Sequence, residues 1–380
     1  MAERTTVARL ETTDDDLLVW LTGADQPLTL PWFWVRDHSR DPDSFDHHTS
    51  QRTVDTFRLT ADPRPSSADL VDGDVHVSWP DGSPTSILPA TLLASVGQAH
   101  LISAIAGPHR ATLWRDPAEV TSARVPFTEL GVGGSGDPGA GLAELLAGMS
   151  RFGFGVVADV PGNAEGTQQL ADAIGYVRRT IFGDIWPLSS DLTDHADSAY
   201  GQSTLEPHTD GSYSHDGPGI QLFVCSERTG TGGESILVDG FAAAEALRAE
   251  DPEAFELLST VAVPAHYREP GVDLRAARPT IRLEGDTVVQ VTFNNYDRSP
   301  FLLEPDRMRQ WYRAYRSFHR LIVDEDSWWI GRLEPGDGLV FDNWRCLHGR
   351  LAFTGRRSFF GCYLNHEDLE SRQRTNAAAS

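Results

Sequence analysis

The sequence predicts a mainly β protein, in which a double-stranded β-helix (jelly roll) with flanking helices follows a small, mostly β N-terminal domain. After residue 200, short apolar runs alternate with turn residues, and residues 219–224 and 234–240 are two of these runs. Runs of this length between Gly-rich and polar clusters are typical of strands. Residues 306–323 interrupt them as a long helix that opens behind Pro305. Many strands with few outer helices favour two facing sheets.

Residues 1–113 form the predicted N-terminal domain. Apolar runs at 28–35, 53–59 and 75–79 are separated by turn-rich polar stretches, which indicates short strands. Residues 91–105 carry apolar side chains at helical spacing. This part of the chain is therefore expected to be mostly β, with one helix near its end.

Residues 114–141 are predicted to connect the two domains, because 131–141 is rich in Gly and Pro. The catalytic domain is predicted to span residues 142–380. It is expected to open with a helix, a buried strand and a second, amphipathic helix, at residues 142–151, 152–160 and 167–179.

Composition excludes several classes of function. The net charge of −23 would repel nucleic acid and anionic membranes. No apolar stretch approaches the ~20 residues that a membrane span needs. The N-terminal residues lack the layout of a signal peptide, and only three cysteines occur. We therefore expect a cytoplasmic protein whose partner is a small molecule rather than nucleic acid or a membrane.

A pair of histidines and one aspartate predicts a metal site. His208 and Asp210 stand two residues apart, and His348 follows much later in the chain. Two imidazoles and one carboxylate suit ferrous iron with open positions for other ligands. If His208 and Asp210 lie on one strand, both side chains point to the same face. The arrangement predicts an oxygenase.

The His-x-Asp pattern alone is weak, because it occurs three times. The other two pairs are His195/Asp197 and His366/Asp368. The pair at His208 differs from them in two ways: strand-like runs follow it, and the distant His348 is itself followed by basic residues. We therefore predict that the other two pairs do not bind the metal.

Arg357 stands nine residues beyond His348 and is predicted to bind a carboxylate. A guanidinium group inside the domain can hold a carboxylate through two hydrogen bonds, and 2-oxoglutarate offers such a group. Ser235 can add a hydroxyl group to the same site. The alternative is that Arg357 is a solvated surface charge, which is the commoner state of arginine.

Four aromatic residues are candidates for a substrate pocket: Phe182, Trp186, Tyr200 and Tyr363. Packing in the core is one interpretation. The other is a cage that binds a quaternary ammonium group by cation–π attraction.

The chain resembles the family of trimethyllysine dioxygenase and γ-butyrobetaine dioxygenase, which are non-haem iron, 2-oxoglutarate-dependent hydroxylases of carnitine biosynthesis. The resemblance covers nearly the whole chain. The motifs that carry it are Val35-Arg-Asp37, Trp79-Pro-Asp-Gly82, Asp197-Ser-Ala-Tyr200, His208-Thr-Asp210, Thr231-Gly-Gly233, Val238-Asp-Gly-Phe241, Phe293-Asn-Asn-Tyr-Asp-Arg298, Asp342-Asn-Trp-Arg345, Leu347-His-Gly-Arg350 and Gly361-Cys-Tyr-Leu364.

The resemblance implies a role for each matching residue. Iron(II) would be held by His208, Asp210 and His348, with 2-oxoglutarate and O2 as co-substrates. Asp197 and Asn294 would contact the polar end of the substrate, and the cage would consist of Phe182, Trp186 and Tyr200. Three of the motifs look closer to the trimethyllysine branch: Asp197-Ser-Ala-Tyr200, Asn294-Asn-Tyr-Asp-Arg298 and Gly361-Cys-Tyr-Leu364. An acid at residue 197 also suits a substrate with a free α-amine. The resemblance also implies a homodimer.

Two departures from the family pattern stand out. Phe182 replaces the usual tyrosine, so the cage keeps a ring but loses a hydroxyl group. The family's structural zinc needs three cysteines and a histidine, but the matching positions hold Ser39, Asp41, Ser44 and Ser83. Without thiolates that zinc site cannot form, and we expect no structural zinc. A solvated polar loop is the favoured interpretation of the neighbouring His47 and His48.

The sequence therefore predicts an iron(II)/2-oxoglutarate dioxygenase that hydroxylates a small cationic amino acid, with Nε-trimethyllysine favoured. The alternatives are γ-butyrobetaine, or another amino acid in specialised metabolism. A catalytically silent module that binds methylated ammonium groups is a rival of another class, and turnover of 2-oxoglutarate to succinate distinguishes it from an enzyme.

Overall fold

The structure, a computed structural model, describes residues 6–59, 62–97, 111–121, 124–132, 139–189 and 202–379. The chain divides into two compact units, Met1–Ile105 and Ala106–Ser380. Within the described ranges, no helix has the length and apolar character needed to cross a membrane.

The described part of the first unit contains two three-stranded antiparallel sheets, in the orders β1-β2-β3 and β6-β7-β8, and the strand pair β4-β5. Its strands and helices are β1 (Val7–Thr12), β2 (Asp16–Leu21), β3 (Leu28–Pro31), α1 (Trp32–Asp37), β4 (Phe45–Asp46), β5 (Gln51–Arg52), β6 (Ser67–Val71), β7 (Asp74–Ser78), β8 (Ser86–Leu88) and α2 (Ala90–Gly97). One apolar cluster, which includes Leu17, Val75 and Leu88, forms its core.

Residues 28–35 do not form the single strand that their apolar run predicted. Strand β3 ends at Pro31, and helix α1 begins at Trp32. Proline lacks the N–H group that a continuing strand would need, so it marks the end of pairing. Trp32 and Val35 are both buried, and their spacing of three residues places them on one face of the helix.

Residues 53–59, also predicted as a strand, form a short 3-10 helix at Thr56–Arg58 instead. The carboxylate of Asp55 accepts a hydrogen bond from the N–H group of Phe57, which caps this turn. Phe57 is 82% exposed, so its apolar side chain is not part of a core. Of the predicted helix 91–105, the described part is α2, and residues 98–105 lie outside the described residues.

The loop after helix α1 is held together by hydrogen bonds between side chains and the backbone. The hydroxyl group of Ser39 donates to Asp41 at 2.6 Å and accepts from the N–H group of Ile87 at 3.0 Å. The other carboxylate oxygen of Asp41 accepts from the N–H groups of Asp43 and Ser44, each at 3.1 Å. Residues that stand at expected zinc positions thus bind one another.

The second unit contains a seven-stranded sheet, a four-stranded sheet, two hairpins and several helices. Its strands are β9 (Arg124–Pro126), β10 (Phe154–Ala158), β11 (Val177–Arg178), β12 (Trp186–Ser189), β13 (Leu205–His208), β14 (Ile220–Arg228), β15 (Ser235–Asp239), β16 (Ala262–Glu269), β17 (Val272–Pro279), β18 (Ile281–Glu284), β19 (Thr287–Val291), β20 (Trp329–Gly331), β21 (Gly338–Asp342), β22 (Cys346–Arg350) and β23 (Arg357–Leu364). Its helices are α3 (Ala140–Phe152), α4 (Ala164–Ile174), α5 (Gly240–Glu250), α6 (Pro252–Thr260), α7 (Pro305–Ile322) and α8 (His366–Ala379), with 3-10 turns at Pro117–Glu119, Phe127–Leu130 and Glu325–Ser327.

The two large sheets share an apolar core. The larger sheet has the order β11-β23-β14-β21-β10-β9, with β12 also paired to β23, and the smaller has the order β13-β22-β15-β20. Phe154, Phe341 and Phe359 of the larger sheet belong to one buried cluster with Leu237 and Cys346 of the smaller. Burial stabilises each such large side chain by roughly 1.5–3 kcal/mol relative to exposure. Two sheets joined through their inner faces agree with the predicted jelly-roll class.

The segment 114–141 is more than the predicted connection. Its strand β9 pairs in parallel with β10 of the larger sheet, and Trp114 is buried. The indole N–H group of Trp114 donates to the carbonyl oxygen of Phe152. Because these contacts attach the segment to the larger sheet, its described residues belong to the second unit.

Three helices differ from the prediction. Helix α4 begins at Ala164, where the side chain of Asn163 caps it, and it ends at Ile174 rather than at residue 179. Residues beyond Gly175 pair with β23 instead. Helices α5 and α6 were not predicted, although Asp239 and Asp251 cap their first turns. These two aspartates are the sequence signals that could have revealed them.

Candidate active site

The pairing of strands β13 and β22 brings the two predicted metal-binding histidines together. His208 is the last residue of β13 and lies directly opposite His348 of β22. Their ring centroids are 4.4 Å apart. Residues opposite each other on antiparallel strands place their side chains on the same face, so both imidazoles point into the space between the sheets.

Asp210 lies beyond the end of its strand, which corrects the expectation that it shares a strand face with His208. Strand β13 ends at His208, and Asp210 lies in the bend that follows. The side chain of Asn343 holds this bend: its Oδ1 accepts from the Asp210 N–H group at 2.8 Å, and its Nδ2 donates to the Asp210 carbonyl oxygen at 3.1 Å. A specific tertiary contact, rather than strand periodicity, therefore directs the carboxylate.

The three predicted ligands form a compact set of donor atoms. One ligand atom from each of His208, Asp210 and His348 lies within 4.8 Å of the others. His208 Nε2 is 3.4 Å from Asp210 Oδ1, and His348 Nε2 is 3.8 Å from Asp210 Oδ2. Within the part of the chain that the structure describes, no other group of three potential ligands meets this distance.

The other two His-x-Asp pairs differ from this group. His366 begins helix α8 and bonds to Asp342 and Glu370, each at 3.1 Å. Burial alone would lower the pKa of His366, but the two carboxylates raise it to about 10. A protonated imidazole cannot bind a metal ion. The pair His195/Asp197 lies outside the described residues.

The protonation states of the three ligands suit a divalent metal ion. Nδ1 of His208 lies 2.8 Å from the carbonyl oxygen of Glu206, so it must carry the proton and leaves Nε2 with a lone pair. Burial lowers the pKa of His348 to about 3. Burial alone would raise the pKa of Asp210, but His348, His208 and a hydrogen bond from Tyr363 lower it. Two neutral imidazoles and one carboxylate fit ferrous iron.

Two side chains hold one oxygen of the Asp210 carboxylate. Oδ2 accepts from Gln221 Nε2 at 2.8 Å and from the hydroxyl group of Tyr363 at 2.7 Å. A carboxylate oxygen accepts about two such bonds, so Oδ1 remains for a metal ion. Gln221 was not singled out in the sequence, where a polar residue within an apolar strand was the only signal.

The three predicted metal ligands line a cavity that opens to solvent. Its walls include most of the predicted site residues that the structure describes. The lining residues are Phe182, Trp186, Leu188, Leu205, His208, Asp210, Gln221, Phe223, Ser235, Ile236, Leu333, Leu339, Phe341, His348, Gly349, Arg350, Arg357, Phe359 and Tyr363.

Arg357 contributes positive charge to this cavity. Its Nη2 donates to Ser235 Oγ at 3.4 Å, and its guanidinium carbon lies 4.1 Å from the centre of the Phe359 ring. Its Nε is buried without a hydrogen-bond partner in the described part of the chain. Burial and the nearby Arg350 and Arg228 lower the pKa of Arg357 to about 9. A bound carboxylate would offset the repulsion among the three arginines and would offer an acceptor to the Nε–H group of Arg357.

Phe182, Trp186 and Tyr363 form an aromatic group at the cavity wall. The rings of Trp186 and Tyr363 are 4.6 Å apart, and those of Phe182 and Trp186 are 5.8 Å apart. Tyr267 of the β16-β17 hairpin packs edge-on against Phe182 at 6.1 Å, and Tyr213 packs against Tyr267. The sequence analysis missed these last two residues, which no motif marks.

Asn294, the remaining predicted substrate contact among the described residues, does not line the cavity. Asn294 is buried, but its Nδ2 donates to Thr209 and Asp297, and its Oδ1 accepts from the N–H groups of Tyr296 and Asp297. Since its amide is engaged within this turn, the geometry supports a structural role next to the metal ligands rather than direct contact with substrate. Asp197 and Tyr200 lie outside the described residues.

Comparison with known proteins shows the family. Residues 129–363 match the family described as "Taurine catabolism dioxygenase TauD, TfdA family". The chain belongs to this dioxygenase family. The trimethyllysine dioxygenase of Gallus gallus is 34% identical over 92% of this chain and 84% of that protein. The human trimethyllysine dioxygenase is 33% identical over 92% and 83%, respectively.

Two further relatives complete the comparison. The γ-butyrobetaine dioxygenase of Pseudomonas sp. is 30% identical over 93% of this chain and 92% of that protein. A taurine dioxygenase structure from Burkholderia xenovorans superposes with a TM-score of 0.48 at 15% identity, over 64% of this chain and 88% of that chain. The protein is an iron(II)- and 2-oxoglutarate-dependent dioxygenase.

Proposed function

We propose that this TauD-family dioxygenase hydroxylates Nε-trimethyllysine. The observation that carries the proposal is the aromatic group beside the metal ligands: the ring of Tyr363 lies 4.6 Å from that of Trp186, while its hydroxyl group bonds to Asp210. A cation held by these rings lies next to the metal position. The proposed reaction inserts one oxygen atom into an unactivated C–H bond of trimethyllysine.

His208, Asp210 and His348 hold iron(II) in this proposal, and Arg357 with Ser235 binds the distal carboxylate of 2-oxoglutarate. When bound, iron would supply the oxidative decarboxylation of 2-oxoglutarate that drives hydroxylation. Three protein ligands would leave coordination positions free for the co-substrate and oxygen. The guanidinium group of Arg357 orients the co-substrate by paired, charge-assisted hydrogen bonds.

The aromatic walls suit a fully methylated ammonium group. Such a group has no N–H donors and therefore needs no hydrogen-bond acceptor. Phe182 and Trp186 offer ring faces, which attract a cation by about 0.5–2 kcal/mol depending on desolvation. Phe182, in place of tyrosine, makes this wall less polar. Asp197 is proposed to bind the α-amine that trimethyllysine carries and γ-butyrobetaine lacks.

The names of the relatives support the same substrate. The Gallus gallus and human proteins, both trimethyllysine dioxygenases, are 34% and 33% identical to this chain. The second candidate is γ-butyrobetaine, which the 30% identity to the Pseudomonas γ-butyrobetaine dioxygenase supports. Both candidates share the quaternary ammonium group and differ in the α-amine.

The test measures succinate release by the purified enzyme with iron(II), 2-oxoglutarate and oxygen. Trimethyllysine, γ-butyrobetaine, lysine and taurine are compared, and mass spectrometry detects the added oxygen atom. We expect the largest stimulation and a hydroxylated product with trimethyllysine. Greater stimulation by γ-butyrobetaine would favour the second candidate, and no response to either quaternary amine would refute the cage.

Two matched variants control the assignment of the metal ligands. His208→Ala should abolish substrate-dependent succinate release, because it removes one of the three ligands. His366→Ala changes a histidine of another His-x-Asp pair, whose side chain bonds to Asp342 and Glu370, and it should retain most of the turnover. Loss of turnover in His366→Ala but not in His208→Ala would show that the proposed metal ligands are wrong.

A further inference from the structure

We propose that Tyr363 couples binding of the substrate cation to the metal ligand Asp210. Its ring belongs to the aromatic group, and its hydroxyl group donates a hydrogen bond to the carboxylate. One side chain thus contacts both the site for the cation and a ligand of the iron. This inference rests on the proposed function, because it requires a quaternary ammonium group against the ring.

Tyr363 makes both contacts with one rigid side chain, through its ring and through the hydroxyl group on that ring. The residue lies on strand β23 and is 5% exposed. Its hydroxyl oxygen is 2.7 Å from Asp210 Oδ2, a distance within the normal range for a hydroxyl donor and a carboxylate acceptor. The ring packs against Trp186 and lines the cavity. Movement or polarisation of the ring is therefore transmitted directly to the carboxylate.

Gln221 is the second holder of the same oxygen and makes a natural reference. It lies opposite Tyr363 in the pairing of β14 with β23, and its Nε2 donates to Asp210 Oδ2 at 2.8 Å. The carboxylate fixes the orientation of this amide, because only the nitrogen can donate to it. Gln221 lacks an aromatic ring, so it holds Asp210 without responding to a cation.

A cation on the ring face strengthens the hydrogen bond from Tyr363. The positive charge draws on the electron density of the ring, and the hydroxyl group becomes a stronger donor. A stronger bond at Oδ2 withdraws negative charge from Oδ1, the oxygen left for the metal. Polarisation along such a chain of contacts strengthens within a protein interior. Binding of the substrate head group thereby changes the electronic environment of the metal site before any reaction.

The experiment uses Co(II) in place of iron, with 2-oxoglutarate and without oxygen, so that its readout is independent of turnover. The visible absorption spectrum of the bound Co(II) is recorded before and after addition of trimethyllysine. We expect a spectral shift in the wild type and its loss in Tyr363→Phe. Since the phenylalanine ring remains, trimethyllysine should bind that variant within about threefold of its wild-type affinity.

Gln221→Met is the matched control, because it removes the other hydrogen bond to the same oxygen and keeps the length of the side chain. Both variants should bind Co(II) roughly tenfold more weakly than the wild type, but Gln221→Met should keep the substrate-induced shift. Thermal unfolding midpoints establish that both variants are folded. Direct titration of trimethyllysine into each variant separates binding from the spectral response.

Three results would overturn the coupling, and the first two are a normal shift in Tyr363→Phe and loss of the shift in both variants. A wild type that turns over trimethyllysine without any spectral shift would also overturn it and leave the proposed function intact. If the wild type shows neither a shift nor trimethyllysine-dependent succinate release, the proposed function itself fails. The two hypotheses are therefore tested separately.

Discussion

The side-chain amide of Asn343 forms two hydrogen bonds with the backbone of Asp210, one to its N–H group at 2.8 Å and one to its carbonyl oxygen at 3.1 Å. A third hydrogen bond, from Asn343 Nδ2 to the carbonyl oxygen of Pro218 at 2.9 Å, holds the amide itself in place. Asn343 is buried, and it follows the last residue of strand β21. This contact orients Asp210, the proposed metal ligand that lies outside regular secondary structure.

Asn343→Leu should therefore weaken metal binding without removing a ligand. Loss of a group that orients a ligand typically costs 10–100-fold in metal affinity, and we expect a decrease of that order. Titration calorimetry with Co(II) measures it. Asn365→Leu is the control, because it removes an amide that bonds to Asp368 and Arg178 and to none of the proposed metal ligands. An unchanged Co(II) affinity in Asn343→Leu would contradict the orienting role.

Arg357→Lys should raise the KM for 2-oxoglutarate by roughly tenfold or more, because an ammonium group cannot form two parallel hydrogen bonds to a carboxylate. The KM for the amine substrate should change much less. Arg356→Lys is the matched control, since the neighbouring Arg356 is exposed. The role of Arg357 as anchor is wrong if both variants keep the wild-type KM for 2-oxoglutarate.

Trp186→Leu should weaken binding of the cationic substrate and leave 2-oxoglutarate binding nearly unchanged. Removal of one ring face costs about 0.5–2 kcal/mol, which corresponds to roughly a 2- to 30-fold rise in the dissociation constant. Equal losses for the amine and for 2-oxoglutarate in Trp186→Leu would indicate general damage to the cavity instead.

Asp197→Asn should selectively impair substrates that carry an α-amine.

The ion cluster of His366, Asp342 and Glu370 should make stability depend on pH. Burial opposes the charged form of His366, but the two carboxylates raise its pKa to about 10, above the value of about 6.5 in an unfolded chain. Its contribution to the free energy of unfolding is therefore complete below about pH 6.5 and decreases as the pH rises toward 10. Wild type should lose more stability than His366→Gln between these pH values in denaturant titrations. Parallel losses would contradict this assignment.

The N-terminal unit should fold without zinc. Ser39, Asp41 and Ser44 bond to one another or to nearby backbone groups, and the N–H group of Ser83 bonds to Asp81. Protein purified without added metal should contain no stoichiometric zinc by elemental analysis. Asp41→Ala should destabilise this unit by about 1–2 kcal/mol, because it leaves two N–H groups without their acceptor. Zinc that survives chelation would show that the loop binds metal after all.

The predicted elements that agree with the structure are those that local pattern specifies. Helix α7 begins at Pro305, as the sequence predicted, and buries one face that includes Trp311 and Phe318. Strand β15 lies within the predicted apolar run 234–240, whereas β14 begins in the run 219–224 and continues to Arg228. Pattern failed at residues 28–35, because a run of apolar side chains suits a strand or a short buried helix equally well. Only the contacts of Trp32 and Val35 decide between them.

The sequence by itself determined which side chains could carry the chemistry: two histidines and an aspartate, one arginine, and a set of aromatic rings. These residue types follow from ligand chemistry, and their motifs are local. The tertiary structure decided how they are used. Pairing of β13 with β22 set His208 against His348, Asn343 directed Asp210 from outside any strand, and Gln221 joined the site without a motif. Such contacts depend on the register between strands far apart in the chain, and side-chain periodicity within a single strand contains no information about that register.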